Sequence, residues 1–171
     1  MDGLIVSQKN MHSFANFALT GFLLLICGCS TRVDVAPDPT RQAWRDSWDA
    51  LHEVKTGNPD GLNRSFQAAH DQVMMPYVNG GEDASAIKEN LHAILTMIGD
   101  LSFSEALLRE TPETRSAVRD CMYESLVKTL FPKTHEVLLQ APNLKWPSDI
   151  AYEQSFASVG QQAPPKKAWT P

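Results

Sequence analysis

No stretch of this chain stays apolar for the ~20 residues that a helix needs to cross ~30 Å of hydrocarbon. Cysteine is scarce, with only Cys27, Cys29 and Cys121 in the sequence. There is no CxxC or CxxCH, which excludes covalent c-type haem and a cysteine-built zinc site. HExxH, GxSxG and a glycine-rich phosphate loop are also missing, and Gly80-Gly81 reads only as a turn. Lys166-Lys167 is the sole basic block, and the net charge is −5. Nucleic acid and anionic headgroups need clustered Lys and Arg, so neither is expected as the main partner. No alternating pattern marks a strand, and no repeat of 20 to 50 residues marks a solenoid.

What is present begins with an uncharged apolar run, Phe14 through Gly28. It is too short to span a membrane and has the length of a signal-peptide core. The polar segment ahead of it carries Lys9 and Asp2. The run ends in Ile26-Cys27-Gly28-Cys29, which resembles a bacterial lipobox: an aliphatic residue, a small residue and Gly or Ala ahead of a cysteine. Cys27 departs from the commonest residue at its place but is small. Using Cys27 as the acceptor would put bulky Ile26 at the cleavage site. The resemblance covers residues 1–29 and implies cleavage between Gly28 and Cys29. A diacylglycerol thioether would form on the Cys29 sulfur, usually with acylation of the new amino group. Two or more chains give stable anchoring where one is marginal. Ser30 and Thr31 follow, without the Asp that marks inner-membrane retention, which implies the periplasmic face of an outer membrane in a double-membraned cell. An ordinary cleaved signal and a short uncleaved anchor are the alternatives.

Beyond the anchor the chain divides into a tether over 29–39, a helical domain over 40–158 and a Pro-rich tail over 159–171. Pro37 and Pro39 favour extended backbone, and from Cys29 to Thr40 the chain reaches at most ~36 Å. The domain reads as all-α, a bundle of about five to six helices with antiparallel neighbours, because the apolar residues recur at helical spacing and the connections are short. The first helix, Thr40 to Thr56, has the stripe Trp44, Trp48, Leu51 and Val54, with Gly57 ending it. Asn58-Pro59 opens a second, striped by Leu62, Phe66, Ala69 and Val73 and ended by Pro76. A turn-rich loop, Pro76 to Gly81, leads to a third, capped by Asp83 or Ser85, with Ile87, Leu91, Ile94, Leu95 and Ile98 on one face and Gly99 at its end. Ser102-Phe-Ser-Glu105 has the form of a capping box for a short fourth helix. Thr111-Pro112-Glu113 opens a fifth that runs to about Phe131. Shorter pieces follow over Thr134–Gln140 and Ser148–Ser158, the last through Ile150, Tyr152 and Phe156. The tail from Gly160 has the composition of an exposed segment.

Four histidines lie beyond the cleavage point. Glu89 and His92, and Asp49 and His52, stand three apart on shared helix faces, and a Glu-x-x-His pair is the unit of di-iron sites in four-helix bundles. The periodicity places Glu89 on the outer face, whereas such ligands point inward, so no metal is expected. Non-covalent haem would need a His with Met74, Met75, Met97 or Met122, and Met at helical spacing is ordinarily core filler. No cofactor follows. Cys121 beside Asp120 reads as a buried hydrophobe, since an adjacent acid raises a thiol pKa. Trp44 and Trp48 read as core residues, with an exposed aromatic patch as the alternative. Trp169 has no core to join unless the tail folds back. The sequence expectation is therefore a membrane-anchored lipoprotein of the bacterial envelope whose domain meets another envelope protein or a ligand; a metal- or haem-binding redox bundle is the alternative.

Overall fold

The computed structural model describes residues 39–75 and 82–170. The signal segment, Gly28 and Cys29, the tether up to Asp38 and the Pro76–Gly81 loop lie outside them. Among the described residues every regular element is a helix, as the sequence predicts. There are eight, more than the five to six expected: α1 (Pro39–Lys55), α2 (Asp60–Met74), α3 (Glu82–Ile98), α4 (Asp100–Arg109), α5 (Pro112–Asp120), α6 (Glu124–Leu130), α7 (Pro132–Leu139) and α8 (Pro147–Ala157). None of the described helices is by itself long and apolar enough to cross a membrane.

Helices α1 and α2 form a hairpin whose contact is built from small residues. Ala43, Ser47 and Ala50 of α1 and Gly61, Ser65, Ala68 and Ala69 of α2 are all buried, and Ser47 Oγ also accepts from Asn90 Nδ2 of α3 at 3.1 Å. Trp44 and Trp48 therefore do not form the core stripe. Of that expected stripe Leu51 is buried in the core and Val54 packs partly buried against it, while Ala43 and Ser47 are buried in place of the two tryptophans. Trp44 is half-buried and Trp48 is 46% exposed, with their rings edge to face at 6.4 Å. Pro39 begins α1 rather than closing the tether, as proline can at the first helical position. Gly57 ends α1 at φ +81°, as expected.

The rest of the core follows the periodic residues. Ile87, Leu91, Ile94 and Leu95 of α3 are buried, and Gly99 at φ +83° turns the chain by 116° into α4. Phe66 of α2 meets Phe103 of α4 edge to face at 5.2 Å. The proposed Ser102–Glu105 capping box does not form, because α4 has already begun at Asp100 and both residues are exposed within it. Asp100 instead caps a different helix. Its carboxylate accepts from the backbone N–H groups of Lys133 (2.9 Å) and Thr134 (2.8 Å), which are free donors at the start of α7. Thr111 caps α5 as expected, accepting from the Thr114 N–H at 3.1 Å.

The long fifth helix predicted to Phe131 is two helices. The chain leaves α5 at Cys121 (φ −92°, ψ 4°) and passes Tyr123 at φ −88°, ψ 106° before α6 starts. The Tyr123 N–H, which a continuous helix would bond internally, instead donates to His92 Nε2 at 3.1 Å. Helix α8 buries no residue, and Ile150 and Tyr152 of its expected stripe are exposed.

Candidate functional site

Several separate segments of the chain meet where α5 ends. Asp120 is the hub. Its Oδ2 accepts from Trp146 Nε1 at 2.6 Å and from Lys166 Nζ at 2.7 Å, and its Oδ1 from Arg119 Nε at 3.3 Å. The buried Arg119 guanidinium also donates to the carbonyls of Ala141 (2.8 Å) and Pro142 (3.1 Å), so it closes the turn between α7 and α8 from inside. Lys166 bridges to Asp149 Oδ2 at 2.9 Å, and the same oxygen accepts from the Trp146 N–H at 2.9 Å.

Two further contacts seat the end of the tail. Trp169 stacks on the buried His135 ring at 5.6 Å and 17°, against the core. Glu124 Oε1 accepts from the Thr170 N–H (2.5 Å) and hydroxyl (3.0 Å). The Thr170 N–H is the main reason that the Glu124 carboxyl lies below its usual pKa, with Lys167 and Lys128 adding to it. The tail is exposed along most of its length, as its composition indicates, but its end folds back. A cleft of about 440 Å³ is left beside it, lined by Met122, Tyr123, Glu124, Lys128, Lys167 and Trp169.

His92 forms the cleft's inner support. It is buried, more deeply than the stripe-edge position its spacing suggests, because Tyr123 stacks on it at 5.3 Å and 10°. Lys88 Nζ lies over the Tyr123 ring, 5.5 Å from its centre. Accepting the Tyr123 N–H places the imidazole proton on Nδ1, which has no hydrogen-bond partner. Burial lowers the His92 pKa below 6.5, in keeping with a neutral acceptor.

The predicted ligand residues are not assembled. Glu89 is exposed while His92 is buried, and Asp49 and His52 are both exposed on α1. Among the described residues no group of three or more His, Cys, Asp or Glu side chains is placed to hold a metal ion. Met75 and Met122 pack in the core, whereas Met74 and Met97 are exposed. Cys121 is buried, its Sγ 3.7 Å from the Ala69 carbonyl oxygen, and burial pushes its thiol up to about 12. Sequence reasoning missed the Asp120 network, because its members come from four separate segments. The one available signal was Trp169, an isolated aromatic residue in a polar tail. No protein-family model, curated protein or solved structure matches this chain.

Proposed function

We propose that this chain is a lipid-anchored protein of a bacterial envelope, held at a membrane through Cys29, whose helical domain binds another envelope protein. The resemblance of Ile26-Cys27-Gly28-Cys29 to a lipobox supports the anchor, and Ser30-Thr31 supports the periplasmic face of an outer membrane. The cleft beside the tail is the observation that carries the binding half. It combines the apolar walls of Met122, Tyr123 and Trp169 with Lys128 and Lys167. This suits an apolar partner side chain next to a carboxylate, with the aromatic groups as anchors.

Replacing Cys29 with Ser and fractionating cells tests the anchor. The variant is expected to leave the membrane fraction and to lack the added lipid mass. Retention at unchanged mass sinks it. A photo-crosslinking residue at Ser125, on the cleft wall, is expected to give a discrete adduct in intact cells, and one at Asn63 on α2 is not. No adduct from Ser125, or the same adducts from both, removes the cleft as the partner site.

A further inference from the structure

The exposed side of α1 is basic and aromatic in a chain that is acidic overall. At ~100° per residue, Arg41, Trp44, Arg45, Trp48, His52 and Lys55 fall within about 100° of one another around the helix. All are exposed except the half-buried Trp44. The buried residues Ala43, Ser47 and Ala50 and the half-buried Val54 lie opposite, against α2 and α3. The acids of α1 are segregated to a third sector. There Asp46 accepts from Gln42 at 3.0 Å, Glu53 pairs with Arg64 at 3.2 Å, and Asp49 lies nearest the basic face. We infer that this face is a second binding surface, and that its partner is an anionic phospholipid surface. Arg and Lys supply attraction to acidic headgroups, while the Trp pair supplies flat amphipathic rings that reside at headgroup depth. Asp46 and Glu53 lie away from the basic sector and Asp49 at its border, which is what such a partner requires and what a merely solvated helix does not. It bears on the expectation that anionic headgroups are not the main partner: the whole chain is acidic, but the charge is not evenly spread.

The inference rests on the anchored reading only for the local concentration of lipid; the face itself does not need the anchor. It is tested with the full chain carrying Cys29→Ser, floated with vesicles of phosphatidylcholine alone or with 3:1 phosphatidylcholine to phosphatidylglycerol. The apolar run at Phe14–Gly28 adds similar binding to both, so the difference between vesicle types is the readout. Anionic vesicles are expected to bind more tightly, less so in high salt. Arg41→Gln with Arg45→Gln should lower that binding by about 30-fold, near fivefold per arginine. Both residues are exposed, so the fold should be kept. Brominated lipid should quench the tryptophan emission of the parent and much less that of Trp48→Phe. Equal binding to both vesicle types overturns the inference, as does a preference that the double arginine variant retains, or quenching that Trp48→Phe leaves unchanged. The anchor fails separately, if the wild-type chain carries no lipid mass.

Discussion

Asp120 shows how much one side chain can hold. Its oxygens accept from Arg119, Trp146 and Lys166, which belong to α5, the turn before α8, and the tail. Asp120→Ala would leave the Trp146 indole N–H without its acceptor in a buried setting and Arg119 with one counter-charge fewer. A loss of about 3 kcal/mol is expected in urea unfolding at pH 7. Asp120→Asn keeps an acceptor oxygen for Trp146 and should cost less. His92 acts through its protonation state. Its folded pKa is depressed below 6.5, so the unfolded chain takes up the proton more readily. The stability that depends on neutral His92 is therefore complete above pH 6.5 and is lost as pH falls through the folded value. Protonation would also turn Nε2 from acceptor to donor, facing the Tyr123 N–H. Thermal melts from pH 7.5 to 5.5 should show a falling midpoint that His92→Gln flattens. Glu124 does not enter this window, because its lowered pKa begins from 4.5.

At the scale of elements, the α1–α2 hairpin reverses an ordinary rule. Gly within a helix is usually improved by Ala, by up to about 1 kcal/mol. A Cβ on Gly61 would meet the Ala50 carbonyl oxygen, the Glu53 Cβ and the Val54 nitrogen, each at 2.8 Å, two of them backbone atoms that cannot swing aside. Gly61→Ala should destabilise by about 2 kcal/mol, read as a lower denaturation midpoint with little change in slope. The same close approach explains which parts of the fold were legible in the sequence. Helix α3 was, because its large aliphatic residues are also the ones it buries. Helix α1 was legible only in its second half: Leu51 and Val54 join the core as expected, but periodicity weighs Trp44 and Trp48 above the small Ala43 and Ser47 that are buried instead. The break after α5 was not legible at all. Cys121, Met122 and Tyr123 carry no breaker, and the acceptor that ends the helix, His92, is distant in the chain. The Ser102–Glu105 motif misled for a related reason: Gly99 and Asp100 start α4 earlier, and Asp100 is drawn to α7.

For the whole molecule, the tail is attached among the described residues by few contacts: the Lys166 bridges to Asp120 and Asp149, the Glu124–Thr170 bonds, a hydrogen bond from Lys128 to the Thr170 carbonyl, and the Trp169 stack. It buries little, so it should open without unfolding the helices it lies on. The helices close their core without it, through Phe66, Phe103, Leu107 and Leu138, all fully buried. Opening would uncover His135 and carry Trp169 and Lys167, two walls of the cleft, away from it. Trp169→Ala removes the aromatic stack and its apolar contact, worth about 1–2 kcal/mol. Because opening precedes cleavage, trypsin should cut at Lys166–Lys167 about tenfold faster in this variant, the factor set by ~1.4 kcal/mol. The urea midpoint of the helical domain should move far less than it does for Asp120→Ala, which strikes the tail and the α5–α8 turn together. Equal cleavage rates in variant and parent would mean that the seat of Trp169 does not hold the tail. An equal fall in both midpoints would mean that tail and helices unfold as one unit, with no separate opening of the tail.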